Sequence, residues 1–329
     1  MFDVVALGEL LIDFTPGGLS PSQNLLFERN PGGAPANVLT ALTRLGGKGA
    51  FIGKVGNDQF GQYLKKVLED NNICTSGLKL SEEANTTLAF VHLDQRGDRS
   101  FSFYRENGAD TMLKPNEVDY DIINRGKIFH FGSLSMTCEP SKSATLKAVE
   151  YAKKQGKLIS YDPNWRPSLW SSESKAKQIM TLGLHYTDIL KISEEEMEFL
   201  LEERDLEKAS QRVFDLGIKL LVITLGSKGC YYKYAGGSGQ VNGYAAKVID
   251  TTGAGDAFLG ALLYQLSNVK GTIQEQENRE IKKIVNFSNI VAALSVTKKG
   301  AIPSMPNLNE VMKFQIESNA DISMASNHY

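Results

Sequence analysis

The segment Asp250-Thr251-Thr252-Gly253-Ala254-Gly255-Asp256-Ala257-Phe258 sets a carboxylate inside a turn of small residues that opens an apolar helical run, Ala257–Leu266. Glycines let backbone N–H groups turn inward, and a helix starting there adds about half a positive charge at its N-terminus. The result is an anion cradle of Gly253, Ala254 and Gly255 with Asp256 inside it. A carboxylate in a site built for anions makes chemical sense if it takes a proton from a hydroxyl attacking a phosphoryl group. On this motif alone a plainer reading, a first-turn acid that satisfies the helix dipole, stands level with it.

A second glycine turn, Asn30-Pro31-Gly32-Gly33-Ala34-Pro35-Ala36-Asn37, runs into the helical stretch Val38–Leu45. Asn37 offers a neutral donor and acceptor, which suits sugar hydroxyls. Asp13, just after the apolar strand Val4–Ile12, can accept from the same hydroxyls. Taken singly, each is more often turn chemistry than ligand chemistry. The chain has no G-x-x-x-x-G-K-[ST], so it is not a P-loop enzyme. It has no G-x-G-x-x-G after the first strand, which weakens a dinucleotide-binding reading.

Positioning such groups needs a rigid frame, and the second half of the chain supplies its pattern. Lys127–Leu134, Leu158–Asp162, Asp188–Ser193 and Lys219–Leu225 read as strands. Between them, Ser141–Gln155, Glu194–Glu202 and Asp205–Leu216 have helical spacing. Strands alternating with helices imply right-handed βαβ units around a buried parallel sheet. Ser193 followed by Glu196 has the form of a capping box.

Two segments break this rhythm. Thr86–Leu93 and Arg99–Arg105 flank the turn-rich Asp94-Gln95-Arg96-Gly97-Asp98, which predicts a hairpin. Its Ser100-Phe101-Ser102-Phe103-Tyr104-Arg105 alternates polar and aromatic residues, and Phe14–Pro31 is rich in Pro, Gly, Ser and Asn. A hairpin with an apolar face must pack on something, so these segments are expected to form a small β lid over the α/β core. The bland alternative is a surface excursion without function. The tail, residues 313–329, is polar and expected to fray.

The 329 residues carry 36 Lys+Arg against 38 Asp+Glu, a net charge of −2. No basic excess drives nucleic-acid binding. No apolar run approaches the roughly 18 residues of a membrane span. The N-terminus lacks the basic n-region of a signal peptide, so a cytoplasmic location is expected. Cys74, Cys138 and Cys230 form no C-x-x-C pair, and the four histidines have no ligand spacing. Metal catalysis through such ligands is not indicated.

With both glycine motifs on one chain, the sequence resembles carbohydrate kinases of the ribokinase (PfkB) family from about Phe2 to Pro306, including Ile52-Gly53-Lys54-Val55-Gly56-Asn57-Asp58-Gln59-Phe60-Gly61. Within that family it is most similar to fructokinases, through Gly8-Glu9-Leu10-Leu11-Ile12-Asp13-Phe14, Phe103-Tyr104-Arg105 and Asp162-Pro163-Asn164-Trp165-Arg166. The resemblance implies a three-layer α/β/α ribokinase-like core over residues 1–312, with a lid from about 14–31 and 86–105. It implies ATP-dependent phosphorylation of a sugar, fructose to fructose 6-phosphate, with Mg²⁺ and K⁺ as cofactors and a homodimer joined through the lid. Asp256 becomes the catalytic base, with Gly253, Ala254 and Gly255 as the anion hole. Asp13, Gly32, Gly33, Asn37, Arg105 and Arg166 are expected to hold the sugar. Ser193, Thr224, Gly226, Gly229 and Asn289 are expected at the nucleotide, and Glu196 acts on Mg²⁺ indirectly. The family's Asn-x-x-Glu reads Ser193-x-x-Glu196 here. Asp250, Thr252, Ser295, Gly300 and Ser304 map to a monovalent-cation loop. Trp165 stands where fructokinases usually carry a smaller aliphatic residue. The rivals are a 2-keto-3-deoxygluconate kinase, since two arginines can clamp a carboxylate, and a non-catalytic sugar-binding or scaffold protein of the same fold.

Overall fold

The computed structural model describes residues 1–93 and 99–326, with side chains through 92 and from 102 to 317. The expected hairpin tip, Asp94–Asp98, and the Phe101 side chain lie outside the described residues. The first strand, β1 (Phe2–Leu7), is completely covered from Val4 onward. Its side chains alternate between two cores, Val4 and Ala6 on one face and Val5 and Leu7 on the other. The single strand expected over Val4–Ile12 is in fact two strands in two sheets. Between them the chain turns the Glu9 side chain inward, where its Oε1 accepts the Ala34 N–H at 2.9 Å. The run resumes as β2 (Leu11–Leu19), pairs antiparallel with β3 (Leu25–Gly32), and enters α1 (Ala34–Arg44). That helix starts four residues earlier than its apolar spacing suggested, so Asn37 sits inside its first turn. Pro35, within the opening turn, is compatible with the early start.

The chain continues through β4 (Gly49–Gly56), α2 (Gln59–Asp70) and β5 (Ile73–Ser81) to the hairpin β6 (Leu88–Leu93) and β7 (Arg99–Tyr104). There follow α3 (Tyr120–Asn124), β8 (Gly126–Gly132), α4 (Ser141–Lys154), β9 (Leu158–Asp162), α5 (Glu173–Leu184) and β10 (Ile189–Ser193). Then come α6 (Glu194–Leu201), α7 (Leu206–Asp215), β11 (Leu220–Thr224), β12 (Cys230–Tyr234) and β13 (Gly237–Val241). Helices α8 (Ala254–Ser267), α9 (Asn278–Ser295) and α10 (Leu308–Ser326) complete the described chain.

The main sheet runs β13-β12-β11-β10-β9-β8-β1-β4-β5, parallel from β11 to β5, with β12 and β13 added antiparallel at one edge. Helices α1, α2, α8 and α9 pack one face and α3 to α7 the other, which gives three layers. Chain order reverses around β1, so the crevice beyond the C-terminal strand ends near β1, β8 and β9 is the expected ligand position. A second sheet, β3-β2-β6-β7, stands over that end. Its aromatic cluster stacks Phe14 on Phe90 at 4.8 Å and sets Phe27 and Tyr104 edge-on to Phe90. Phe14 against Phe60, and Arg29 over the Tyr63 ring at 3.7 Å, fix the sheet to α2.

The described part of the tail, through residue 326, continues α10. Asn307 and Glu310 form a reciprocal capping box at its start, and Val311 and Phe314 pack against the α8–α9 side.

Candidate active site

The two glycine motifs, far apart in sequence, converge on one hydrogen bond. Asn37 Nδ2 on α1 donates to Asp256 Oδ2 on the first turn of α8 at 2.8 Å, across 219 residues. Gly253, at φ 78°, is the N-cap of α8; the Ala254 N–H donates to the Thr251 carbonyl at 3.2 Å, and the amides of Gly255 and Asp256 follow at the open end of the helix, beside that carboxylate. Burial and the nearby Asp162 raise the Asp256 carboxyl to about 6, against the opposing effects of Asn37, Lys191 and Arg166. The other amide atom, Asn37 Oδ1, is buried and has no partner.

Asp13 lies on β2, facing the same crevice. Burial raises its carboxyl to about 6, and Arg166 opposes the shift. A Cβ on Gly32 would stand 2.1 Å from Asp13 Oδ2, so glycine there is the condition for the carboxylate to keep its position. Asp13, Thr15, Asn30, Asp250, Thr252 and Gly300 line a cavity of about 240 Å³ between the lid and the loop after β13. Asp250 organises that loop: Oδ1 accepts from Thr252 N at 2.9 Å and its hydroxyl at 2.7 Å, and Oδ2 accepts from Gly300 N at 3.0 Å. Ser295 and Ser304 do not line this cavity; their hydroxyls donate to the Ala292 and Ala301 carbonyls.

A larger cavity, about 680 Å³, opens on the other side of the α8 N-terminus and includes Thr224, Gly226, Gly229, Asn289, Ala254 and Gly255 in its wall. Four expected nucleotide residues therefore share one space with two cradle residues. Ser193 is not among them. Its hydroxyl accepts the Glu196 N–H at 3.1 Å as the α6 N-cap, the capping box read from sequence. Glu196 is itself held twice, accepting Ser193 N at 2.8 Å and Trp165 N at 2.7 Å. The Trp165 ring stacks on Phe199 with centroids 3.9 Å apart.

The two arginines differ. Arg166 is exposed, and Nη1 donates to the carbonyl of Trp165. Arg105 lines neither cavity and is buried beneath the lid. Its Nε and Nη2 bind Asp110 at 2.8 and 2.7 Å, and further bonds go to the Leu134 carbonyl and Thr137 Oγ1. Four of its five donors are thereby engaged.

Sequence reasoning passed over three buried charges. Glu9, pushed up to about 7 by burial, ties β1 to α1. Asp162 and Lys191 form an ion pair at 2.9 Å beneath Asp256. A lysine in the apolar strand Ile189-Leu190-Lys191-Ile192 was the available signal, because a buried parallel strand admits a charge only with a partner. Among the described residues no cluster of three or more His, Cys, Asp or Glu is arranged to hold a metal.

Residues 1–308 match the pfkB family carbohydrate kinases. Fructokinase-2 of Solanum lycopersicum is 44% identical over 312 residues, covering 94% of both chains. A fructokinase with bound ATP from Xylella fastidiosa superposes with a TM-score of 0.90 at 32% identity, over 97% of this chain and all of that one. A fructokinase double mutant from Vibrio cholerae O395, in a form with fructose, ADP and potassium ion bound, gives 0.85 at 35% identity, covering 94% and 97%. The chain belongs to the pfkB family of carbohydrate kinases.

Proposed function

We propose that this pfkB carbohydrate kinase transfers the terminal phosphoryl group of ATP to the terminal hydroxyl of fructose, giving fructose 6-phosphate. The observation that carries the reading is the Asn37–Asp256 bond, which joins a hydroxyl-binding turn to a phosphate-binding turn at one carboxylate. Asp256 takes the proton of the attacking hydroxyl, and a carboxyl near 6 is ionised at neutral pH yet basic enough to accept it. The amides of Gly253, Ala254 and Gly255 receive the charge that develops on the transferring group. Fructose sits under the lid, its hydroxyls shared by Asp13, Asn37 and the backbone at Gly32 and Gly33. The unpartnered Asn37 Oδ1 is the acceptor such a hydroxyl satisfies. ATP occupies the larger cavity, with Thr224, Gly226, Gly229 and Asn289 around it.

A neutral acceptor is favoured over a sugar acid by the arginines. The two-arginine clamp considered for a sugar acid needs both guanidinium forks free, and Arg105 is committed to Asp110. Only Arg166 remains for the ligand. Mg²⁺ carried by the nucleotide would neutralise its phosphates, and Glu196, whose oxygens already hold two backbone amides, would meet it through water. The oxygen-rich loop of Asp250, Thr252 and Gly300 suits a monovalent cation. Leu19, Leu25, Leu26 and Tyr104 are exposed on the lid sheet, which supports a homodimer formed there. No described helix is long and apolar enough to cross a membrane, and the three cysteines are free, as a cytoplasmic chain would keep them.

The test is Mg²⁺-dependent ADP formation with fructose, 2-keto-3-deoxygluconate and ribose in parallel. Fructose is expected to give the highest kcat/KM. A higher value for the sugar acid would overturn the assignment of the acceptor.

A further inference from the structure

We propose that Lys191 is a further catalytic residue, whose ammonium, anchored on Asp162 beneath the first turn of α8, donates hydrogen bonds to the phosphoryl group in transfer. The proposal rests on reading the α8 N-terminus as the phosphoryl-transfer site. Lys191 is 7% exposed, on the central strand β10. Its Nζ makes a single hydrogen bond among the described residues, to Asp162 Oδ2 at 2.9 Å. An ammonium has three donors, so two remain on a group almost wholly removed from water. A buried cation in that state needs further acceptors.

Their direction is given by Gly255. A Cβ built there would stand 2.9 Å from Lys191 Nζ and 3.5 Å from its Cε, and no other side chain lies within 4 Å of that point. The lysine head therefore rests against the backbone of the cradle whose amides face the anion. An anion bound to those amides lies within reach of the two open donors. Glycine at 255 is then required for the approach of the ammonium.

The charges around Lys191 keep it ready for this role. Desolvation alone would lower its pKa, but Asp162, Glu196 and Asp256 outweigh it and hold the amine above its ordinary value. His130 beneath it is neutral, driven down to about 3 by burial with a small contribution from Lys191. A permanently charged donor fixed in a dry site is the arrangement that stabilises charge developing in a transition state.

The competing account is that Lys191 only neutralises Asp162. Kinetics and calorimetric ATP binding for Lys191→Met, Asp162→Asn and the double variant separate the two. For Lys191→Met we expect kcat to fall about 10²–10³-fold, the usual cost of one transition-state donor. ATP affinity measured without sugar should fall about tenfold or more, as for a lost charge-assisted bond, with KM for fructose nearly unchanged. The double variant carries no unpaired buried charge and so keeps the fold testable. It should remain as slow as Lys191→Met. Recovery of the double variant to the rate of Asp162→Asn, or unchanged ATP affinity in Lys191→Met, would overturn the proposal. Because the binding arm omits sugar, a wrong acceptor leaves it standing, whereas a wild-type chain that binds no ATP overturns both readings.

Discussion

Below the crevice, Asp162, Lys191, Glu196 and Asp256 sit on β9, β10, α6 and α8, and their hydrogen bonds fix them to one another, to Asn37 or to backbone amides. Above it, the lid is held by Phe14, Phe27, Phe90 and Tyr104, by one cation–π contact, and by a two-by-two pairing of short strands. Aromatic packing tolerates sliding far better than a charged hydrogen bond does, since dispersion varies gently with position while a buried ion pair depends on geometry. On the proposed function, the floor carries the chemistry and the lid governs access and the exclusion of water. Arg105 and Arg166 reproduce the contrast on a small scale, one locked in the lid's foundation and one open to the ligand.

Substituting the base should give the largest effect. Asp256→Asn is expected to lower kcat about 10²–10⁴-fold with little change in fructose affinity. In the wild type, kcat/KM should rise with pH through about 6, where Asp256 ionises, and level above it. The same carboxyl is raised above its unfolded value of 3.8, so its contribution to stability is complete below about 4 and is lost as pH climbs through 6. Asp256→Asn should thus stabilise the fold by about 1–2 kcal/mol at pH 8 and not at pH 4, a difference that thermal melts at the two pH values will measure. A pH–rate profile with no limb near 6 would detach the acid from the base role.

The next effect separates the arginines. Arg105→Ala leaves Asp110 buried and unpaired and should cost about 3–5 kcal/mol in urea unfolding. Arg166→Ala should change stability by less than about 0.5 kcal/mol, as exposed substitutions do, and instead raise KM for fructose. Equal stability losses in the two variants would erase the distinction drawn between them. Smallest is Arg29→Ala, which removes the lid's contact with Tyr63. It should cost about 0.5–1 kcal/mol and appear mainly as faster ATP hydrolysis without sugar. An unchanged hydrolysis rate would mean that the aromatic cluster alone seats the lid.

Much of the floor was legible because parallel strands have a simple grammar. Leu158–Asp162 was read to the residue, and both glycine motifs announced the ends that meet at Asp256. The hairpin of β6 and β7 was legible from its turn-rich connection and Phe14–Pro31 as a lid segment from its composition, although the pairing of β2 with β3 and the break between β1 and β2 were not. That break depends on Glu9 finding the α1 N-terminus, a contact with no local trace. Arg105 was placed against the ligand because its word resembled the family's. Its true neighbour, Asp110, is only five residues on, but the fold has to bring Thr137 and Leu134 to it as well. The capping box at Asn307 and Glu310 is a local signal that the sequence reading did not take up. Ser193 caps α6, as its local motif predicts.

The lid strands come from two separate stretches, and the sheet closes only where β2 pairs in parallel with β6, Ile12 opposite Leu88. All of β3, α1, β4, α2 and β5 lies between them in the chain. Such a pairing has a high contact order, and its loop-closure entropy must be met before the contact gives anything back. The roof of the site is accordingly among the late events of folding, after the first half of the main sheet. The lid pairing depends on the segments between β2 and β6 and on none of the strands that follow β7, whereas Asp256 and its cradle lie far downstream on α8. A chain that loses the β2–β6 pairing alone would therefore keep the cradle and lose its cover.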